Sequence, residues 1–254
     1  MTTDYDAIAA DYRRAKQQPW RYYIERYTLL RLIGSLAGVS VVDLACGEGY
    51  YTRELRHRGA AKVVGVDLSD GMIRLAQEEE KRSPQGIEYV VGDARKFDGA
   101  QRFDLVVAAY LLNYASTREE LADMCAAVAR ALRPGGRFVT VNNNPEQAPE
   151  HFDASRKFGF IKSTPPSPVP SPRGESMREG TPVIYTIFQE HGSFDITNYW
   201  LSTATHEKCL RAAGLRDVRW HKPRLSPEGE AAFEDDFWTP FLAHPPITFL
   251  ECVR

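Results

Sequence analysis

The stretch Val41-Val42-Asp43-Leu44-Ala45-Cys46-Gly47-Glu48-Gly49-Tyr50 decides how this chain is read. An apolar run holding one acid, Asp43, passes into a turn with two glycines, and a helical pattern follows at residues 51–57. Glycine at a strand-to-helix turn lets a ligand approach backbone that a Cβ would block. A Gly-x-Gly alone says little, since tight turns take glycine anyway, so its surroundings must supply the rest.

Outward from this turn, short apolar runs at 41–45, 62–66, 87–91, 105–109 and 137–141 alternate with helical patterns at 51–57, 71–81 and 118–132. That alternation predicts right-handed βαβ units, a doubly wound α/β fold and a ligand crevice beyond the carboxyl ends of the strands. Residues 1–38 read as a helical cap, 39–144 as the ligand-binding core, 145–202 as an inserted loop and hairpin, and 203–254 as the last part of a seven-stranded, mainly parallel sheet, all in one domain. Arg133-Pro134-Gly135-Gly136 should stop the third helix before the fifth strand. The insertion holds Ser163-Thr164-Pro165-Pro166-Ser167-Pro168, too proline-rich for regular helix or central strand, and reads equally as surface linker or lid. Segments 182–190 and 193–200 read as a hairpin, 203–213 as a helix, 215–220 and 247–253 as strands, and 223–246 as an irregular excursion.

Composition narrows the function. The chain has 254 residues, 43% of them hydrophobic, and a formal net charge of -2 with the two signs interleaved, which disfavours a nucleic-acid partner. Met1-Thr2-Thr3-Asp4-Tyr5-Asp6 has neither the charge nor the apolar stretch of a secretory signal, and no run spans a bilayer, so a cytoplasmic protein without membrane segments is expected. Cys46, Cys125, Cys209 and Cys252 form no CxxC pair, so buried thiols are expected and no metal site.

Asp43, Asp67 and Asp93 stand at or near the ends of the first three strands, where they would line one crevice. Asp67 is placed for ribose hydroxyls and Asp93 for an adenine amino group. Asp43 before the glycine turn and Glu48 within it repel a pyrophosphate, since like charges about 4 Å apart cost roughly 4 kcal/mol at an effective dielectric near 20. Thr52 replaces the third glycine of the dinucleotide pattern, and the lysine of a P-loop is missing. S-adenosylmethionine carries no phosphate and offers an ammonium and a sulfonium, which carboxylates attract.

At these residues the chain resembles the class I S-adenosylmethionine-dependent methyltransferases. Residues 42–49 are similar to the family's first motif, Asp67 to its ribose acid, Asp93-Ala94 to its adenine pair, and Leu132-Arg133-Pro134-Gly135-Gly136 to the turn entering its fifth strand. Ala45 departs from the pattern, standing where the family often has its first glycine. Tyr5-Asp6-x-x-Ala9-x-x-Tyr12 and Gln18-Pro19-Trp20-Arg21 resemble the cap of glycine-type N-methyltransferases, and the carboxyl-terminal half loosely resembles bacterial N-methyltransferases of toxoflavin-type azapteridines. The resemblance implies S-adenosylmethionine as cofactor, held by Tyr12, Arg21, Asp43, Ala45, Cys46, Gly47, Gly49, Asp67, Leu68, Met72, Asp93, Ala94 and Ala109.

The acceptor is expected to be a small planar heteroaromatic or phenolic molecule, methylated on N or O, with a place in secondary metabolism. Tyr5, Trp20, Tyr114, Asn142, Asn144, Tyr199 and Trp200 are its expected contacts, because they border the carboxyl ends of the strands. Acid–base help, where needed, would come from Tyr110, Asn113 or His191. The rival readings are a non-catalytic S-adenosylmethionine-binding regulator and a nicotinamide-dependent dehydrogenase, and the oligomeric state is open.

Overall fold

The computed structural model describes residues 18–100, 102–165, 177–189 and 192–254. Five strands, β1 (Ser40–Leu44), β2 (Lys62–Asp67), β3 (Glu88–Val91), β4 (Phe103–Ala109) and β5 (Leu132–Asn143), run parallel. With β9 (Arg216–His221) and β10 (Ile247–Val253) they form one sheet in the order β3-β2-β1-β4-β5-β10-β9, with β10 antiparallel to both neighbours. The seven-stranded, mainly parallel sheet is the one expected. Strand order reverses between β1 and β4, and there an open α/β sheet leaves its crevice.

The parallel strands are near-continuous apolar runs because helices cover both faces. A π-helical segment, Arg21–Arg26, runs into α1 (Tyr27–Ile33), and α1 and α2 (Tyr50–His57) bury Leu29, Leu30, Ile33 and Leu55 on one face with Val41, Val63 and Val139. On the other, α4 (Arg118–Ala131) and α5 (Thr203–Ala212) bury Leu121, Val128 and Leu210 against Val42, Val106 and Phe138. α3 (Asp70–Arg82) is capped by Ser69, whose side chain accepts from Met72 N at 3.0 Å.

A second, antiparallel sheet pairs β6 (Phe160–Ser163), β7 (Thr181–Gln189) and β8 (Gly192–Trp200) in that order. The β7–β8 hairpin was expected and β6 was not. The inserted segment is also less loose than its prolines suggest. Residues Pro149–Phe158 form a 3-10 helix, and Phe152, Phe158 and Phe160 enter the core, with Trp20 packed 5.1 Å from Phe160.

Three further expectations need correction. The helix after β4 ends at Ala131, and Leu132 is already extended, so the Pro-Gly-Gly turn is an exposed, irregular opening of β5 instead of a break before it. The excursion at 223–246 contains two short helices, α6 (Pro227–Ala232) and α7 (Thr239–Ala243), each begun by a proline in its first turn. Leu215 precedes β9 and does not belong to it. All four cysteines are free and buried. Among the described residues no helix is long and apolar enough to cross a membrane, and no cluster of metal-ligating side chains occurs.

Candidate active site

The turn after β1 places three residues in the left-handed region, Ala45 (φ 59°), Gly47 (φ 56°) and Gly49 (φ 82°). Asp67, ending β2, ties this turn down: its Oδ2 accepts from Gly47 N at 2.7 Å and its Oδ1 from Ser69 N at 2.9 Å. Gly49 is held to glycine by a different neighbour than expected. A Cβ there would lie 2.5 Å from the Tyr89 hydroxyl, so internal packing and φ set its identity. Thr52 sits where a dinucleotide pattern has its third glycine, fully buried, and its hydroxyl donates to Asp43 Oδ2 at 2.7 Å. The residue that breaks the dinucleotide pattern thus orients the first acid.

A cleft of about 270 Å³ opens over these strand ends. Asp43, Ala45, Cys46, Gly47, Asp67, Leu68, Met72, Asp93, Ala94 and Ala109 line it, so the structure brings together the expected cofactor residues of the described chain except Gly49. Leu68 is 72% exposed although large and apolar, as a side chain waiting to cover a flat ring would be. Tyr12 lies outside the described residues. Glu48 does not line the cleft: its carboxylate pairs with Arg53 at 2.7 Å, so it contributes nothing to the repulsion assigned to it above.

That repulsion comes from other groups. Five carboxylates line the cleft, Glu25, Asp43, Asp67, Asp93 and Glu120, against two guanidiniums, Arg21 and Arg95. Arg95 is already committed, gripping both oxygens of Asp93 (Nη2 to Oδ2 2.7 Å) and holding that carboxyl below the usual range. With Arg21 in turn facing Glu25, the net negative lining suits a cationic ligand and rejects a pyrophosphate. S-adenosylmethionine meets that description.

At the other end of the cleft lies a cluster whose central residue sequence reasoning missed. Glu25 is buried (2% exposed) and faces Arg21 at 3.2 Å, while the hydroxyls of Tyr51 (2.7 Å) and Tyr110 donate to it. Arg21 and Glu25 are i, i+4 on the π-helical segment, a spacing visible in the sequence. Tyr110 adopts φ 66°, a strained conformation for a non-glycine residue, at the end of β4. Burial, then the Glu25 charge, pushes its pKa well above the usual phenol value. Its hydroxyl therefore stays a donor to Glu25, and a role as base does not fit it.

Arg21, Tyr110 and Tyr114 form the partition between this cleft and a second, smaller chamber, lining both. The chamber also takes Trp20, Asn113, Asn143, Phe160, Tyr185 and Asn198 into its walls. Trp20 is buried, its Nε1 donating to Gln18 Oε1 at 2.8 Å. Asn113, 4% exposed, donates through Nδ2 to Asn198 Oδ1 at 2.7 Å, so it anchors the second sheet to the end of β4. Asn142, Asn144, Tyr199 and Trp200 are not in this chamber but around a third recess beyond Asn113 and Asn143. There Asn144 shapes a turn, bonding Pro245 O and Glu146 N, Asn142 bonds Thr140, and Trp200 bonds Pro145 O. Tyr5 and His191 lie outside the described residues.

Residues 41–136 match the methyltransferase domain family. Over 225 residues the chain is 22% identical to the N-demethylindolmycin N-methyltransferase of Streptomyces griseus, covering 86% of this chain and 90% of that one. It is 33% identical over 113 residues to the ubiquinone biosynthesis O-methyltransferase of Coxiella burnetii strain RSA 493, a match confined to 43% of this chain and 47% of the relative. The solved S-adenosylmethionine-dependent methyltransferase of Mesorhizobium loti shares the fold with a TM-score of 0.63 at 22% identity, over 91% of this chain and 97% of the other. With the strand order, the acid-lined cleft and the matched domain in agreement, the chain carries a methyltransferase domain over residues 41–136 and is an S-adenosylmethionine-dependent methyltransferase.

Proposed function

We propose that the chain methylates a small, planar heteroaromatic or phenolic acceptor on nitrogen or oxygen, as an enzyme of secondary metabolism. One observation carries the reading: the cofactor cleft and the aromatic chamber share a wall, Arg21, Tyr110 and Tyr114, across which a methyl group has the shortest way to an acceptor. Two matched relatives act, by their names, on small molecules, one at nitrogen and one at oxygen.

In this reading Asp67 takes the ribose hydroxyls, Asp93 and Ala94 meet the adenine, Leu68 covers its ring, Asp43 faces the positive end of the cofactor and Arg21 takes its carboxylate. Arginine suits that last task because its planar fork bonds both oxygens. When bound, S-adenosylmethionine supplies a methyl group already activated by the positive sulfur. What remains for the protein is alignment and exclusion of water, worth roughly 7–11 kcal/mol in well-oriented systems without a dedicated base. Glu25 keeps Arg21 and Tyr110 in place for it. Trp20, Phe160 and Tyr185, packed on one another, make the aromatic wall against which the acceptor would lie.

The test is turnover: the chain with S-adenosylmethionine and a panel of heteroaromatic amines, phenols and carboxylates, read as S-adenosylhomocysteine release. Activity confined to planar heteroaromatic or phenolic members is expected. Tight S-adenosylhomocysteine binding without turnover of any member would favour a non-catalytic regulator, and binding of NAD in its place a dehydrogenase.

A further inference from the structure

Asn143 ends β5 between two asparagines whose amide nitrogens are spoken for, Asn142 donating to Thr140 Oγ1 and Asn144 to Pro245 O, whereas neither end of its own amide is. Among the described residues neither Nδ2 nor Oδ1 of Asn143 has a hydrogen-bond partner, although both atoms are closed off from solvent. Asn113 Oδ1, in the same chamber, is likewise without one. Buried polar groups in folded chains are nearly always paired, so an open donor and acceptor on one carboxamide, turned into a cavity lined by Trp20, Phe160 and Tyr185, mark the place where a ligand completes them.

Resting on the methyltransferase reading above, we infer that Asn143 is the specificity residue of the acceptor chamber and that the acceptor presents an adjacent in-plane donor and acceptor, an N–H beside C=O or C=N, as in a lactam, imide or cyclic amidine. The carboxamide of asparagine is complementary to that edge through two parallel hydrogen bonds, in whichever sense its ends point. A phenol offers one oxygen and satisfies only half of the pair. The stacking walls fix the plane of the ring, Asn143 fixes its rotation within that plane, and the atom to be methylated is turned toward the partition of Arg21, Tyr110 and Tyr114. Asn142 and Asn144 do not line this chamber: their Nδ2 atoms bond Thr140 Oγ1 and Pro245 O, and Asn142, whose Oδ1 is also open, lines the third recess instead.

The experiment uses the full chain saturated with S-adenosylhomocysteine and two bicyclic probes of one shape, 1-isoquinolinone, which carries the lactam edge, and 1-naphthol, which carries a single hydroxyl. Calorimetry should show the lactam bound about 10- to 100-fold more tightly, the range for pairing a buried polar group that is otherwise left open. Asn143→Leu should bring the lactam down to the level of the naphthol with S-adenosylhomocysteine affinity unchanged, since Asn143 does not line the cofactor cleft. Should the leucine variant fail to fold, Asn143→Asp, which keeps the shape and removes the amide donor, should lose most of the same preference. Equal affinity for the two probes, a lactam preference that survives either folded variant, or no binding of either probe would overturn the inference and show Asn143 satisfied by water alone. These outcomes leave the methyltransferase reading standing as long as S-adenosylhomocysteine binds; its failure to bind would bring down the reading of the cleft itself.

Discussion

On the cofactor side of the site, hydrogen bonds close over short stretches of chain: Thr52 reaches Asp43 across 9 residues, Ser69 reaches Asp67 across 2, and Gly47 reaches Asp67 across 20. Around the partition and the recesses behind it they close over long ones, with Asn113 meeting Asn198 and Tyr110 meeting Glu25 each across 85 residues, and Lys162 meeting Pro246 across 84. The first wall is made by βαβ units that carry their own turns. The second exists only after β5, the second sheet and the amino-terminal helix have come together, and it holds its parts with buried polar side chains. The acids at the strand ends are held by turns that lie close to them in the chain, whereas the partition and the recesses behind it are assembled from distant side chains whose pairings are costly to break.

The sharpest way to break this contrast is at Glu25. Removing one partner of a buried charge network leaves the others uncompensated, at a cost of about 3–5 kcal/mol. Glu25→Ala removes the carboxylate that Arg21 faces at 3.2 Å and to which two phenol hydroxyls donate. A fall in unfolding free energy of that order is expected by urea titration, with a smaller loss for Glu25→Gln. A loss under about 1 kcal/mol would mean that the partition is not held by its polar network.

Asp67 tests the other wall. Asp67→Ala should weaken S-adenosylhomocysteine binding by about 1.5–3 kcal/mol, the range for hydrogen bonds to a charged group. Because Asp67 also receives Gly47 N and Ser69 N, some of that loss reflects a looser turn, and thermal melting of the ligand-free protein separates the two parts. An unchanged dissociation constant in a folded variant would remove Asp67 from the ribose.

The same division of short and long reach decided what was legible in the sequence. β1 to β5 and the acids at their ends could be read because apolar runs, glycines and carboxylates lie within a few residues of one another. β6 was missed because its four residues include Lys162, and nothing local says that a lysine there is buried. The sequence points to Asn142 and Asn144, whereas Asn143 is the asparagine of β5 that lines the chamber. Side chains alternate along a strand, so Asn143 shares a face with Val141, which packs with Trp20 and Phe160 in one cluster; that face is known only once the cap has docked. Glu25 was within reach, four residues from Arg21, but its two tyrosine partners come from other elements.

Lys162 predicts an effect of opposite sign. Its Nζ donates to Pro246 O at 2.6 Å among the rings of Phe152 and Tyr185, and burial lowers its pKa well below that of a free lysine. The unfolded chain then holds a proton that the folded chain has lost, so stability rises with pH between the folded pKa and the unfolded value near 10.5. Lys162→Met, similar in volume, should stabilise the protein at neutral pH. The gain should shrink as pH climbs toward 10.5, and Pro246 O keeps its bond from Asn144 N. Melting temperatures of the two proteins from pH 7 to 10 check this; a variant less stable at every pH would make Lys162 a net support of the third recess.

The smallest expected effect lies at Ala45, where the cofactor wall departs from the glycine of its relatives by family pattern. At φ 59° an alanine pays a left-handed penalty of about 1–2 kcal/mol that glycine does not. Glycine in turn gives the unfolded chain more freedom, which costs about 0.5–1 kcal/mol. The two largely offset, so Ala45→Gly should shift the unfolding free energy by between about zero and 1.5 kcal/mol in the stabilising direction, against the usual sign for replacing alanine with glycine. Ala45→Val, β-branched at the same angle, should destabilise by more than the alanine strain it inherits. Paired urea titrations of the two variants read both numbers. If Ala45→Gly lowers stability by 1 kcal/mol or more, as mid-helix substitutions of this kind do, the turn is not under strain at this residue, and the backbone alone would no longer account for how the cofactor wall keeps its shape.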